Sequence, residues 1–326
     1  MKWASHKDHY LSALQYMKGK QQGTILSYKT PWPKMNRATL NGFEFNTISV
    51  IGGRPASGKT LLVDQIVREG FKLNPGLNLR VLQFQLEMFG RTTKIREFSS
   101  ISKTTYRDLC SADENKPVPN SIIKLCHDHA KNASKYPIDI IDTPVTVMQF
   151  KAEIEQYMEK FATQNETGKT IYKNTVVTLD HSVLIKKEKH ETNKVDMLAN
   201  LGEACTILKK KYPIAFILLT QLNRATDRPE RNENGKYGNF ILESDIYGGD
   251  GLVQHADFVA GLNCPAKRFI KYYGPDRYII EDESVLVMHW IKSRNGETGM
   301  SFFKAEFQNM EIAEMVTPPV DQKQSK

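Results

Sequence analysis

The chain has 326 residues, 40% of them hydrophobic and 25% charged, an ordinary globular balance with enough apolar material for a sizeable core. Lys and Arg outnumber Asp and Glu by 45 to 37, and the net charge of +8 fits either a plain basic surface or a phosphate-rich partner. Four cysteines with no CxxC pair argue against structural zinc, and the lack of any apolar run near the roughly 20 residues of a membrane span, or of a signal-peptide core, argues for a cytoplasmic protein with no membrane partner.

In chain order, a helix comes first. Tyr10, Leu11, Leu14 and Met17 recur at helical spacing, and Gly19 sits where the helix would stop. About three turns of helix are marginal alone and need a partner surface, on the same domain or on a neighbouring copy. A polar stretch with "TPWP" follows and reads as a linker, so residues 1–34 form an N-terminal linker helix and linker. From about residue 40 strands and helices alternate. Strands are expected at 47–52, 79–85, 138–142, 175–180 and 214–220, several of them near-continuous apolar runs suited to parallel strands covered on both faces. Between them lie helical patterns, one with the stripe Val195, Leu198, Leu201, Cys205 and Leu208. The alternation predicts an α/β domain with a mainly parallel, helix-flanked sheet over residues 35–315. After residue 255, "ADFVAGL", "SVLVMHWIK" and "MSFFKAEF" are strand-like with no helix between them, which predicts antiparallel strands at the C-terminal end. The tail 316–326 is expected to be disordered.

The first strand runs into Gly53-Arg54-Pro55-Ala56-Ser57-Gly58-Lys59-Thr60, and a helical pattern follows, which is the P-loop context. Glycine lets the backbone come close to phosphate oxygens, successive N–H groups form an anion nest, and the helix N-terminus adds its dipole. Lys59 can reach the β and γ phosphates of ATP, and Thr60 can ligate Mg²⁺. Asp180 ends "TVVTLD" and can hold the same Mg²⁺, directly or through water. Glu87 lies just past the strand "LRVLQFQ", at the edge where open α/β sheets bind ligands. Gln221 ends "AFILLTQ" and could sense the γ phosphate or the attacking water.

The set "RPASGKT", "QLEM", "LDHSVLI", "LLTQLNR" and "IKSRNGETG", in this order and spacing, resembles the C-terminal RecA-like motor domain of DnaB-like replicative DNA helicases, from about residue 24 to 310. "ADFV" after a glycine-rich loop resembles the family too. The resemblance implies a RecA-like P-loop ATPase that unwinds DNA as a ring, a homohexamer with ATP and Mg²⁺ at its subunit interfaces. It implies Glu87 as catalytic base, Asp180 as Walker B acid, and Gln221 as the link from γ phosphate to DNA-contacting loops. It implies that Lys292 and Arg294 act on the neighbouring subunit's nucleotide, where a cation can give on the order of 10³–10⁵ in rate. The N-terminal helix resembles the linker helix that packs on the adjacent motor domain.

Two loops are expected to grip single-stranded or forked DNA. One holds Lys186, Lys187 and Lys189, ending at His190; the other spans 224–251 with Arg224, Arg228, Arg231, Lys236, Gly248, Gly249 and Gly251. The chain departs from the family in having only about 35 residues before the motor, where a collar domain is usual, and His181 where a tyrosine is frequent. That leaves primase and helicase-loader docking open, and fits a phage or mobile-element protein of the bacterial cytoplasm. Two other readings remain at this level: a RecA- or RadA-like or clock-type ATPase switch, which would form filaments or act without unwinding, and a nucleotide-gated loader, which would form nucleotide-dependent complexes without processive unwinding.

Overall fold

A computed structural model describes residues 3–111, 116–189, 191–228, 231 and 239–319. The helices are α1 (His6–Gln21), α2 (Pro33–Ala38), α3 (Lys59–Leu73), α4 (Gly90–Ser102), α5 (Tyr106–Cys110), α6 (Asn120–Ala133), α7 (Val147–Lys160), α8 (Lys194–Lys211) and α9 (Gly249–His255). The strands are β1 (Thr47–Gly53), β2 (Leu79–Gln85), β3 (Ile138–Ile141), β4 (Thr163–Gln164), β5 (Thr170–Ile171), β6 (Asn174–Asp180), β7 (Ile214–Gln221), β8 (Phe258–Asn263), β9 (Tyr272–Tyr273), β10 (Tyr278–Ile279), β11 (Val285–Ser293), β12 (Gly299–Glu306) and β13 (Glu311–Glu314).

Nine strands form one sheet in the order β13-β12-β11-β8-β1-β7-β6-β2-β3. The central strands β1, β2, β6 and β7 are apolar and buried along nearly their whole length, as a sheet covered on both faces requires. All pairs from β8 to β3 are parallel, and β11, β12 and β13 close the other end antiparallel. As expected, "ADFVAGL", "SVLVMHWIK" and "MSFFKAEF" become β8, β11 and β12, each antiparallel to the next. β8 also pairs with β1, in parallel, because the short helix α9 precedes it as a crossover. The small pairs β4–β5 and β9–β10 stand apart from the main sheet.

Two cores cover the sheet faces. On one, α7 and α8 pack Phe150, Ile154, Leu198, Leu201, Cys205 and Leu208 against the strands. On the other, α3 and α2 bring Leu62, Ile66 and Met35 together with Trp32 and Tyr28. Trp32 and Tyr28 come from the stretch that reads as a linker, yet both are fully buried. Each has a partner for its polar tip: Trp32 Nε1 donates to the Ile312 carbonyl at 3.2 Å, and the Tyr28 hydroxyl donates to the Ile66 carbonyl at 2.8 Å. A large ring buried this way is worth about 3–5 kcal/mol relative to Ala.

α1 starts with a Ser5/Asp8 capping box. It runs two residues beyond Gly19, which is buried because Ile25 folds back against it. Three bonds tie its C-terminal half to the domain: Tyr16 to Glu44 at 2.7 Å, a Lys20–Glu44 ion pair, and Lys20 to Ser27 at 2.9 Å. Tyr10, Leu11, Leu14 and Met17 remain exposed. Among the described residues no helix is long and apolar enough to cross a membrane. The expected tail from Val316 lies mostly outside the described residues.

Candidate functional site

β1, β7, β6 and β2 all end at one edge of the sheet, and their registers set the site. Gly53 pairs with Gln221 across β1 and β7, and Gln85 pairs with Asp180 across β2 and β6. The Leu86 amide donates to the Asp180 carbonyl at 2.6 Å, which fixes the point where Glu87 leaves the sheet. Glu87 is exposed there, within electrostatic reach of Lys59 and Asp180.

The P-loop geometry has specific causes. A Cβ on Gly53 would meet the Leu262 carbonyl oxygen at 2.8 Å and Ser57 Oγ at 2.5 Å, so only glycine allows the chain to turn so close to β8. Ala56 has φ 59° and Gly58 has φ 88°, left-handed values that turn the loop into the N-terminus of α3. Lys59 is 7% exposed. Its ammonium donates to the Gly53 carbonyl at 2.8 Å and the Arg54 carbonyl at 3.1 Å. Burial lowers its pKa to about 8, against the opposing pull of Asp180 and Glu87.

The Thr60 hydroxyl donates to Asp180 Oδ2 at 2.7 Å, while Asp180 Oδ1 is buried with no partner among the described residues. Burial raises the Asp180 pKa, the Thr60 bond opposes that shift, and Glu87 adds to it. A hydroxyl beside a carboxylate with a spare, desolvated oxygen suits a hard divalent cation that completes its shell with phosphate and water. His181 stays a neutral imidazole, its pKa lowered to about 4 by burial and then by Lys59.

Lys292 and Arg294 are not in this cluster. They lie at the other end of β11, where Lys292 pairs with Val259 and Ser293 with Phe258, at the start of β8. Asp257 binds there, accepting from the Ile48 amide at the start of β1 at 2.8 Å. β1 rises about 3.3 Å per residue, so this edge is about 20 Å from the chain's own P-loop. Lys292 Nζ donates to the Val253 carbonyl at 2.8 Å and Arg294 Nη2 to the Gln254 carbonyl at 3.0 Å, both at the C-terminus of α9. Arg294 Nη1 lies 3.6 Å from Asp257 Oδ1. Burial lowers the Lys292 pKa, with Arg294 adding to the effect. Asp257 also accepts from Lys209 at 2.5 Å, a partnership with no signature in the local sequence pattern.

The loops expected to grip DNA leave β6 and β7 at the P-loop edge. Lys186, Lys187 and Lys189 are exposed, and Lys187 donates to the Thr192 carbonyl at 3.2 Å. Arg224 and Arg228 are exposed around a 3-10 turn, Arg224–Asp227. Arg231 is engaged differently from the expectation. It forms a bidentate pair with the buried Asp245, at 2.9 and 2.8 Å, and donates to the Phe240 carbonyl, which braces the base of the loop. Gly248 packs on Leu198 and Gly251 on Ala199, so their small size serves the seating of α9 on α8; Gly249 is the first residue of α9. Lys236 and His190 lie outside the described residues.

The DnaB-like helicase C terminal domain family model matches residues 28–312. The replicative DNA helicase DnaB of Helicobacter pylori is 24% identical over 222 residues, 68% of this chain and 41% of that protein. DnaB of a Nostoc species is 24% identical over 268 residues, 81% of this chain and 28% of that protein. The chain thus spans less than half the length of these two relatives. A solved structure described as an ATPase domain superposes with a TM-score of 0.75 at 17% identity, covering 96% of this chain and 100% of that one. A DnaB-like replicative helicase, studied with its interactions with primase, gives a TM-score of 0.70 at 16% identity, covering 89% of this chain and 63% of that one. The fold is that of a RecA-like helicase ATPase domain.

Proposed function

The chain belongs to the family of DnaB-like helicase C-terminal domains, and from that premise we propose that it is an ATP-driven DNA helicase motor working as a ring of six copies. Residues 35–315 are the motor and 1–34 its linker. The observation that carries this reading is the split of the polar groups between two edges of one sheet. Lys59, Thr60, Asp180, Glu87 and Gln221 collect at one edge, and Lys292 and Arg294 wait at the other. Cations about 20 Å from the chain's own phosphate cradle can serve only a neighbour's. The exposed Tyr10, Leu11, Leu14 and Met17 on α1 supply an apolar face for that neighbour.

In this reading Lys59 exchanges its two carbonyl partners for the β and γ phosphates of ATP. Thr60 and Asp180 would hold Mg²⁺, which would offset the charge of the phosphates. Glu87 orients the attacking water and takes its proton. Gln221 stands between the γ phosphate and the loop after β7. Lys292 and Arg294 of the adjacent copy stabilise the charge that develops. Lys186, Lys187, Lys189, Arg224 and Arg228 follow the phosphate backbone of single-stranded DNA without base preference. DNA replication, with primase as a partner, is the setting the relatives' names suggest, and we place it in the bacterial cytoplasm.

The test is unwinding of a forked DNA duplex with ATP and Mg²⁺, with Lys59→Ala and Arg294→Ala beside the unaltered chain. Unwinding that each variant loses, with partial recovery of ATP turnover when the two are mixed, is the expected result. DNA-stimulated ATP turnover without strand separation would remove the helicase claim and leave a DNA-dependent ATPase.

A further inference from the structure

We propose that Asp227 is a positioning residue that couples the P-loop to the segment expected to grip DNA, because it is a carboxylate shared between Arg54 of the P-loop and Arg268 beyond β8. The proposal rests on the function given above. Arg54 spends both terminal nitrogens on the segment after β7: Nη2 lies 2.5 Å from Asp227 Oδ2, and Nη1 donates to the Leu222 carbonyl at 3.3 Å. Arg268 approaches from the far side, its buried Nε 3.3 Å from Asp227 Oδ1 in a charge contact without hydrogen-bond geometry. Its neighbour Lys267 donates to the Ala56 carbonyl at 3.3 Å. These groups surround a cleft of about 370 Å³ between the P-loop and the turn after β8. Ser57 Oγ and Asn263 Nδ2 line the same cleft, buried and without partners among the described residues. The arginine–carboxylate contacts and the Lys267 bond therefore carry the fastening of the P-loop on this side.

Two guanidinium groups on one carboxylate make an element with two arrangements. If a phosphate group draws Arg54 away, Asp227 keeps Arg268 and is not left as a lone charge. With Arg54 in place, the 3-10 turn Arg224–Asp227 is held to the P-loop; without it, the turn is held only to the far side. The base of this segment is tied together by backbone and side-chain bonds. The Asn223 amide donates to the Asp245 carbonyl at 2.7 Å, the Tyr247 amide to the Gln221 carbonyl at 2.8 Å, and Arg231 closes on Asp245. Arg224 and Arg228 flank Asp227 and would shift with it. This route runs beside Gln221 and differs from it, since it starts from the first turn of the P-loop and not from the γ-phosphate end.

Coupling between two ligands is reciprocal and can be measured as one number. The experiment uses the whole chain, a dye-labelled oligothymidylate and ATPγS. Oligothymidylate affinity is measured with and without ATPγS, and ATPγS affinity with and without oligothymidylate. The unaltered chain should show the same ratio both ways, within the usual range of about 5–150-fold. Asp227→Asn, which keeps the side-chain volume, should bring both ratios within about 2-fold of unity, and Asp227→Glu should restore them. A purely structural role would lower the melting temperature and both affinities while leaving the ratio intact. An unchanged ratio in Asp227→Asn overturns the inference and leaves the proposed function standing. If the unaltered chain does not bind oligothymidylate at all, the proposed function falls and takes the inference with it.

Discussion

The two edges of the sheet hold similar charges under opposite conditions. At the P-loop edge, Lys59 is sunk between its own backbone carbonyls, and burial is the largest influence on its pKa. At the far edge, the Arg294 side chain is 49% exposed and leans on helix-end carbonyls and one carboxylate. A buried lysine with carbonyl partners is preorganised for phosphate and gains nothing from a second chain. A half-exposed arginine held by a helix-end carbonyl and a loose, solvent-screened carboxylate contact gives up little when it leaves for a stronger anion. In the proposed ring, one edge is a finished half-site and the other would supply the half that a neighbour lacks.

The sharpest way to break this comparison is Lys59→Ala. It should lower ATP turnover by on the order of 10³-fold or more and abolish unwinding. Stability should change little, because the substitution also removes a buried charge. Arg294→Ala should cost a similar factor in turnover, yet leave ATPγS affinity of the dilute, unassembled chain within about 2-fold of normal. Equilibrium binding at low protein concentration reads that difference. Equal loss of nucleotide affinity in both variants would mean that the two edges are not separate in function.

Asp257 is the next lever. It satisfies the Ile48 amide and Lys209 and faces Arg294. Asp257→Ala would leave Lys209, whose side chain is only 12% exposed, without its carboxylate. The expected cost is about 3 kcal/mol, read as a lower denaturant midpoint at unchanged slope. Asp257→Asn should cost less, since it can still accept from Ile48.

The finished edge was legible in the sequence because its information is local. A glycine-rich turn between an apolar strand and a helix has few other uses, and the polar residue that ends each apolar run is visible as such. What escaped is long-range or small. The pairing of Arg231 with Asp245 depends on how a loop folds back, so a basic residue in a loop looked like a contact for DNA. Gly248 and Gly251 read as part of a loop that grips DNA, yet they are spacers against α8. Helix α9 has only seven residues, too few for a periodic signal, so the crossover that sets β8 parallel to β1 was not visible. Trp32 sits between two prolines as in a linker, and only the return of β12 and β13 hundreds of residues later gives it a place to be buried.

Asp64 extends the comparison to pH. It lies on α3 beside a cavity of about 890 Å³ with Arg96 and Lys94, and burial, then Asp180, raises its pKa to about 7. A carboxyl whose folded pKa lies above its unfolded value of 3.8 costs stability where it is ionised. That cost is absent below the unfolded pKa, grows between about pH 4 and 7, and is complete above about 7. Asp64→Asn should therefore stabilise the chain by up to about 4 kcal/mol at pH 8 and by well under about 1 kcal/mol at pH 4. Melting curves at the two pH values test this, and a pH-independent difference would mean that Asp64 stays ionised in the fold.

The smallest effect concerns the shape of the cradle itself. Ala56 and Gly58 both take left-handed backbone conformations, at φ 59° and 88°, but only one of them is glycine. A Cβ in that region costs about 1–2 kcal/mol. At Gly58 it would also meet Leu286 Cδ1 at 3.1 Å, so Gly58→Ala should destabilise by about 2 kcal/mol. Ala56→Gly removes the same strain but loosens the unfolded chain, which costs about 0.5–1 kcal/mol. The two terms nearly cancel, and the net gain should stay near 0.5 kcal/mol. The opposite signs of these substitutions, two residues apart, are the measurable signature of a loop held open by its own backbone. If Ala56→Gly were strongly destabilising, the Ala56 methyl would have to be packing against something, and the left-handed turn would be a consequence of that contact and not the source of the nest.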